Sequence, residues 1–71
     1  MKKFFRISEE DAINMNNIAH IWIQKCPNGY FIMGEMMHNE EEICLSKVYE
    51  NKLDCEDIFN YIIGTYEKAS L

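Results

Sequence analysis

The amino-acid sequence predicts an α+β fold, an antiparallel four- or five-stranded meander with one C-terminal helix packed on one face of the sheet. Three observations predict it. Two apolar runs flank the turn-forming triplet Pro27-Asn28-Gly29, shorter alternating runs lie before and after them, and from residue 54 the apolar spacing changes from two residues to about 3.6. The 71 residues have room for a single domain, residues 1–71, with one modest core.

The N-terminal part of the chain is predicted to supply one or two strands. Residues 3–8 alternate loosely between apolar and polar side chains. We expect a turn at residues 9–11, a short strand at residues 12–15 and a tight turn at Asn16-Asn17, because asparagine side chains compete with a helix for backbone groups. The alternative is a helix over residues 9–19, which Ser8 would cap.

Residues 18–37 form the predicted central hairpin. If residues 26–29 make the loop, Lys25 lies opposite Tyr30, and antiparallel counting then gives the remaining pairs. One side of this hairpin carries Ile23 opposite Ile32 and Ile21 opposite Gly34. The other side carries Trp22 opposite Met33 and His20 opposite Glu35.

The last strand is predicted at residues 42–49, with Met37 opposite Glu42 across a polar turn. This register places Ile43 and Leu45 on the same side of the sheet as Ile32. It also predicts that His20, Glu35 and Cys44 lie side by side on three neighbouring strands.

The C-terminal helix is predicted to begin with Asp54 as its N-cap, and Glu56 and Asp57 complement the positive end of its dipole. Gly64 lies inside the helix, where we expect it to mark a close contact with the sheet. The apolar stripe that should face the sheet comprises Cys55, Ile58, Phe59, Ile62, Tyr66 and Ala69.

One helix covers only one side of the sheet, so the other side is predicted to be exposed. The side expected beneath the helix carries Ile21, Ile23, Ile32, Met36, Ile43 and Leu45. The opposite side carries Ile18, His20, Trp22, Phe31, Met33, Met37 and Val48, with Glu35, Cys44 and Ser46 among them. Exposed apolar patches rich in Trp, Phe and Met are typical of interaction sites.

The predicted interaction face therefore comprises His20, Trp22, Phe31, Met33, Glu35 and Met37. Self-association as a two-fold dimer would bury this face and would supplement a small core. The alternative is that the first strand or the N-terminal segment folds over it.

Charge and cysteine content narrow the function classes. Twelve acidic and seven basic residues give a formal net charge of −5, which argues against nucleic-acid binding. No run is apolar enough for a membrane span or a signal peptide, and three cysteines without C-x-x-C spacing indicate reduced thiols, so we expect a cytoplasmic protein. A predicted acidic rim would engage a basic partner or serve solubility alone; it comprises Glu40, Glu41, Glu42, Asp54, Glu56 and Asp57.

Catalysis and cofactor binding are disfavoured. In the predicted row of His20, Glu35 and Cys44 the carboxylate separates the thiol from the imidazole, whereas a thiol nucleophile needs the imidazole beside it. The histidine and cysteine spacings match no zinc motif, residues 39–42 lack the pattern of a calcium loop, and the glycines form no phosphate-binding loop. We expect neither an enzyme nor a cofactor or metal site.

The run from Ala12 to Ala19, with Ile21, Ile23, Gly29-Tyr30 and residues 43–49 before an acidic helix, resembles small uncharacterised proteins of Firmicutes and their phages. The resemblance implies a compact sheet-plus-helix protein, sometimes carried by mobile elements, and transfers no catalytic residues.

Two hypotheses on function remain open. One is a self-associating interaction module, such as a phage-type inhibitor of a host protein, and the other is a small-molecule-binding or sequestering protein with a pocket between protomers around His20, Trp22 and Glu35.

Overall fold

The computed structural model describes residues 4–66 and confirms the α+β class, with antiparallel strands followed by one C-terminal helix. The strands within this range divide into a two-stranded sheet, β1–β2, and a three-stranded sheet in the order β3-β4-β5. The elements are β1 Phe4–Ser8, β2 Asp11–Asn14, β3 Ile18–Cys26, β4 Gly29–Met36, β5 Glu42–Cys44 and α1 Lys52–Tyr66.

The N-terminal segment forms strands rather than the alternative helix. The second strand, β2, begins one residue earlier than predicted, at Asp11, and a short 3-10 turn at Met15–Asn17 leads into β3. The Asn14 side chain accepts a hydrogen bond from the Asn16 N–H at 3.0 Å, which is the local asparagine bonding that favours a turn. Residue 3 of the predicted first strand and Ala69 of the predicted helix stripe lie outside the described residues.

The register of the central hairpin is confirmed. Lys25 pairs with Tyr30, and the four pairs predicted on the two sides of the hairpin are all formed. Gly29 closes the loop at a φ of 146°, and a Cβ there would lie 2.1 Å from the Tyr49 carbonyl oxygen, so this position requires glycine.

A β-bulge at the start of β3 corrects the placement of Ile18. The register shifts between Ile18 and His20, so Ile18 pairs with Met36. Because a one-residue irregularity turns the side chain to the other side of the sheet, Ile18 joins the side that carries Gly34. Its Cδ1 lies 3.6 Å from where a Cβ on Gly34 would be.

The register between β4 and β5 differs from the prediction by two residues. Glu35 pairs with Glu42 and Met33 with Cys44, so Met37 does not lie opposite Glu42. An even shift leaves each residue on its predicted side of the sheet, but it changes its neighbours. The predicted row of His20, Glu35 and Cys44 is therefore wrong. Glu42, rather than Cys44, lies beside Glu35 on β5.

The last strand is also shorter than predicted. β5 ends at Cys44, and the chain returns to the sheet only at Tyr49, which forms an isolated bridge with Tyr30. Ser46 and Val48, predicted on the exposed side of this strand, instead lie in the irregular segment between, where the side chain of Val48 is exposed.

The helix begins at Lys52, two residues before the predicted N-cap. Asn51 is the residue that caps it, because its Oδ1 accepts a hydrogen bond from the Leu53 N–H at 2.8 Å. Asp54 lies in the first turn instead. Gly64 is exposed, and a Cβ there would have no described atom within 4 Å, so the predicted close contact with the sheet is wrong.

The core lies between the helix and one side of the three-stranded sheet. Within residues 4–66 its fully buried side chains are Ile32, Leu45, Cys55 and Ile62. The N-terminal hairpin β1–β2 packs against this core, and it is joined to the helix where the Phe5 ring meets the Tyr66 ring edge-on at 6.3 Å. We call this side of the sheet the helix side.

Candidate interaction surface

The side of the three-stranded sheet opposite the helix is not covered by the described N-terminal segment. Side chains alternate along each strand, so the confirmed registers define this side. Phe5, Ile7 and Ile13 of β1 and β2 pack against the core on the helix side, so the alternative in which this segment folds over the opposite side is not what the structure shows. This surface, which we call the open face, comprises His20, Trp22, Gln24, Phe31, Met33, Glu35, Glu42 and Cys44.

Trp22 is held in place by the residues before and after it on the open face. Its ring stacks on the His20 imidazole with centroids 5.2 Å apart and an interplanar angle of 27°. Its indole Nε1–H donates a hydrogen bond to Gln24 Oε1 at 3.1 Å, and the Gln24 amide in turn donates to the Lys25 carbonyl oxygen. A half-buried tryptophan whose polar atom is already bonded presents a large, ordered apolar surface.

The remaining residues of the open face form two rows across the strands. Trp22, Met33 and Cys44 make an apolar row. His20, Glu35 and Glu42 make a polar row beside it, in which Glu35 lies between His20 and Glu42. The open face therefore combines an aromatic and thioether centre with an acidic margin.

The arrangement that a thiol nucleophile would need is not formed. Cys44 lies opposite Met33, one row away from His20 and Glu35. Its Sγ–H donates to the Ser46 carbonyl oxygen at 3.0 Å. Among the described residues, no group of three or more His, Cys, Asp or Glu side chains is placed to hold a metal ion.

Met37 is the one predicted interaction residue that lies beyond the strands. It follows β4, and its backbone N–H donates to the Asn17 carbonyl oxygen at 2.7 Å. Its side chain is exposed and lines a cavity of about 460 Å³ together with Ile18 and Ile62, which belong to the helix side. Met37 therefore stands at the border between the open face and the helix side.

The predicted acidic rim consists of two separate groups. Glu40 and Glu41 lie in the turn after β4, and Glu42 follows beside Glu35. Asp54, Glu56 and Asp57 lie in the first turns of α1, where Glu56 lines a cavity with Lys25 and Tyr30. These groups flank opposite ends of β4.

Sequence reasoning did not select Gln24 as a site residue. The signal was available, because Gln24 is two positions from Trp22 on the same strand, and residues two apart share a face. The sequence pattern also does not indicate that β3 forms an edge of the sheet, where one side of its backbone has no neighbouring strand among the described residues.

These observations define a small α+β protein whose sheet has one side packed against a helix and one side open within residues 4–66. No protein-family model, curated protein or solved structure matches the chain. In the part of the chain that the structure describes, no helix is long and apolar enough to cross a membrane.

Proposed function

We propose that this protein is a non-catalytic, self-associating interaction module that binds another protein through the open face. The observation that carries the proposal is Trp22, which is stacked on His20, bonded to Gln24 and only half-buried by the rest of the described chain. Pre-ordered tryptophans at the centre of a patch are typical anchors of protein interfaces, because little conformational entropy is lost when they are buried.

The shape of the surface favours a protein over a small molecule. A small-molecule site is usually concave. The two larger cavities of the described residues lie between β3 and the helix, and only one residue of the open face lines each of them, His20 in one and Trp22 in the other. The open face is one side of a sheet, with Phe31 and Met33 half-buried beside Trp22. Aromatic and methionine side chains at this density are enriched in protein interfaces.

Charge narrows the kind of partner. The net charge is −5, and Glu35 and Glu42 border the apolar row of the open face. Such a distribution favours a partner that presents an apolar centre with basic residues around it. A mobile-element inhibitor that occupies a basic host protein is the particular case that the sequence resemblance favours.

Replacing Met33 tests this proposal, because Met33 lies on the central strand of the open face. Met33→Asp places a charge in the apolar row, whereas the control Leu53→Asp changes an exposed side chain at the start of the helix, away from that face. A partner that copurifies with the wild-type chain should be lost by Met33→Asp and retained by Leu53→Asp, with equal circular dichroism for both variants. Equal retention by the two variants would contradict the proposal.

A further inference from the structure

The outer edge of β3 carries backbone groups that no described strand satisfies. β3 pairs with β4 on one side only, because the sheet order is β3-β4-β5. On β4, Tyr30 and Ile32 direct their N–H and C=O groups towards Tyr49, Leu45 and Ser46 on the far side from β3.

The alternation of an antiparallel ladder then assigns the free groups on β3. Two residues that face each other across an antiparallel pair either exchange backbone hydrogen bonds, or both direct their backbone N–H and C=O groups away from the partner strand. The backbone N–H and C=O groups of Tyr30, Ile32 and Gly34 point away from β3. The backbone groups of the residues opposite them on β3 therefore point away from β4. The N–H and C=O groups of Ile21, Ile23 and Lys25 therefore line the free edge.

The free edge of β3 is protected against pairing with another strand at its two ends but not at its centre. Natural sheet edges are usually protected by bulges, charged side chains or short strands. β3 has a bulge at Ala19 and a lysine at position 25, whereas residues 20–24 between them carry no lysine or acidic side chain. The opposite edge of the sheet, β5, is only three residues long.

The unguarded stretch is symmetric about Trp22. Ile21 and Ile23 flank it, and both direct their backbone groups outward. A two-fold axis through Trp22 would place Ile21 opposite Ile23 of a second copy, and each such pair would exchange both of its N–H···O bonds. An axis at Ile23 would instead place Ile21 opposite Lys25 on the helix side.

We propose that two copies of this chain pair antiparallel along β3 about a two-fold axis at Trp22, joining their three-stranded sheets into one of six strands. The proposal names the contact by which the self-association in the proposed function occurs. In this arrangement the two Trp22 rings meet on the open face, and His20 lies opposite Gln24 of the second copy. The two open faces become one surface.

The helix side supports the same contact. Two cavities, of about 460 and 570 Å³, meet at Ile21 between β3 and the helix. Phe59, Ile62 and Ile63 line them, so apolar helix surface lies beside the free edge. Because a two-fold axis perpendicular to the sheet keeps both helices on one side, pairing would bring these surfaces together and extend a core in which few side chains are fully buried.

Amide hydrogen exchange on the wild-type chain tests the proposal, read beside solution mass from light scattering across a dilution series. We expect a dimer, with exchange of the Ile21 and Ile23 amides slowing about tenfold when roughly nine-tenths of the chain is dimeric. The Trp22 and Gln24 amides bond to β4 in either state and serve as internal controls. A dimer with unprotected Ile21 and Ile23 amides, or a chain that is monomeric at every concentration, would overturn the edge pairing.

Cysteine cross-linking tests the register. In a background of Cys26→Ser and Cys44→Ser, Trp22→Cys should form an intermolecular disulfide under diamide, because the two Cα atoms would face each other. Gln24→Cys is the matched control, since its two copies would be roughly 13 Å apart, beyond the disulfide limit of about 7 Å. Faster cross-linking at position 24 than at position 22 would overturn the register.

The outcomes separate the two proposals. Loss of a copurifying partner in Met33→Asp depends on the open face of β4 and not on the β3 edge. A monomer that still loses its partner in Met33→Asp would refute the edge pairing and leave binding through the open face standing. A dimer with protected Ile21 and Ile23 amides in which Met33→Asp has no effect would refute the open-face binding alone.

Discussion

The Ser46 hydroxyl accepts a hydrogen bond from the backbone N–H of Ile32 at 2.9 Å, at the point where β5 has left the sheet. A neighbouring strand would ordinarily supply a carbonyl oxygen there. The hydroxyl also donates to the Lys47 carbonyl oxygen, which fixes its direction. Ile32 is fully buried, so this side chain satisfies a backbone group at the centre of the core.

Ser46→Ala should therefore destabilise the protein. Removing the acceptor leaves a part-buried N–H without a partner, which costs about 1–3 kcal/mol. Urea unfolding followed by circular dichroism measures the change, and Ser46→Thr, which keeps a hydroxyl, is the control. An unchanged midpoint for Ser46→Ala would show that water replaces the hydroxyl without cost.

At the start of α1, the contributions of Asn51 and Asp54 to stability should differ in their dependence on salt. Asn51→Ala removes the side chain that accepts from the Leu53 N–H, and loss of such a cap costs about 1 kcal/mol. Asp54→Ala removes a first-turn charge, which is worth roughly 0.3–1 kcal/mol and is screened by salt. Thermal unfolding at low and high salt should show a salt-independent loss for Asn51→Ala and a salt-dependent loss for Asp54→Ala. The opposite assignment would place the cap at Asp54.

Two glycine-to-alanine substitutions should change the free energy of unfolding in opposite directions. A Cβ at Gly64 meets open space on an exposed part of the helix, so Gly64→Ala should stabilise by about 1 kcal/mol through helix propensity. A Cβ at Gly34 would lie 2.9 Å from Cδ1 of the buried Leu45, so Gly34→Ala should destabilise by about 1–3 kcal/mol. Chemical denaturation of both variants beside the wild type checks the pair. A stabilised Gly34→Ala variant would mean that Leu45 moves freely.

The stability of the protein should fall at alkaline pH through Cys55. Burial, aided by the neighbouring Glu56 carboxylate, raises the pKa of the Cys55 thiol above its ordinary value. The unfolded chain therefore ionises first as the pH rises, so stability is complete below the ordinary thiol pKa and declines above it. Unfolding free energies measured across this range should show the decline in the wild type.

Cys55→Ala is the control for that pH dependence, because it removes the thiol. It should be less stable at neutral pH through lost packing, and its stability should change less over the range in which a thiol ionises. Burial also raises the pKa of Tyr66, so a further decline at higher pH should persist in this variant. An identical decline in wild type and Cys55→Ala would show that ionisation of Cys55 does not cause it.

The central hairpin could be predicted in register because its loop has a strong local signal. Pro27-Asn28-Gly29 places the loop, and antiparallel counting then determines the partner of Trp22. The bulge at Ala19 has no comparable signal, since alanine is tolerated on either side of a sheet. Simple alternation therefore predicts Ile18 on the wrong side of the sheet.

The turn after β4 shows how a small local choice changes a site. Met36 donates to the Glu41 carbonyl oxygen, so the loop begins at Met37, one residue earlier than expected. Glu40 adopts a positive φ of 57°, and the Asn39 side chain accepts from the Glu41 N–H. These are properties of turn conformation that hydrophobic alternation does not encode, and they put Glu42 rather than Cys44 beside Glu35.

Phe4 and Tyr66 are joined by a hydrogen bond from the tyrosine hydroxyl to the Phe4 carbonyl oxygen at 2.7 Å, across almost the whole described chain. During synthesis, the β1–β2 hairpin leaves the ribosome long before the last helical turn that receives it. The contacts of β3 with β4 are local and close early, whereas this docking needs a long chain closure. The β1–β2 hairpin therefore reaches its final place only after the last turn of α1 has formed, and until then its Phe5 ring lacks the Tyr66 ring against which it packs.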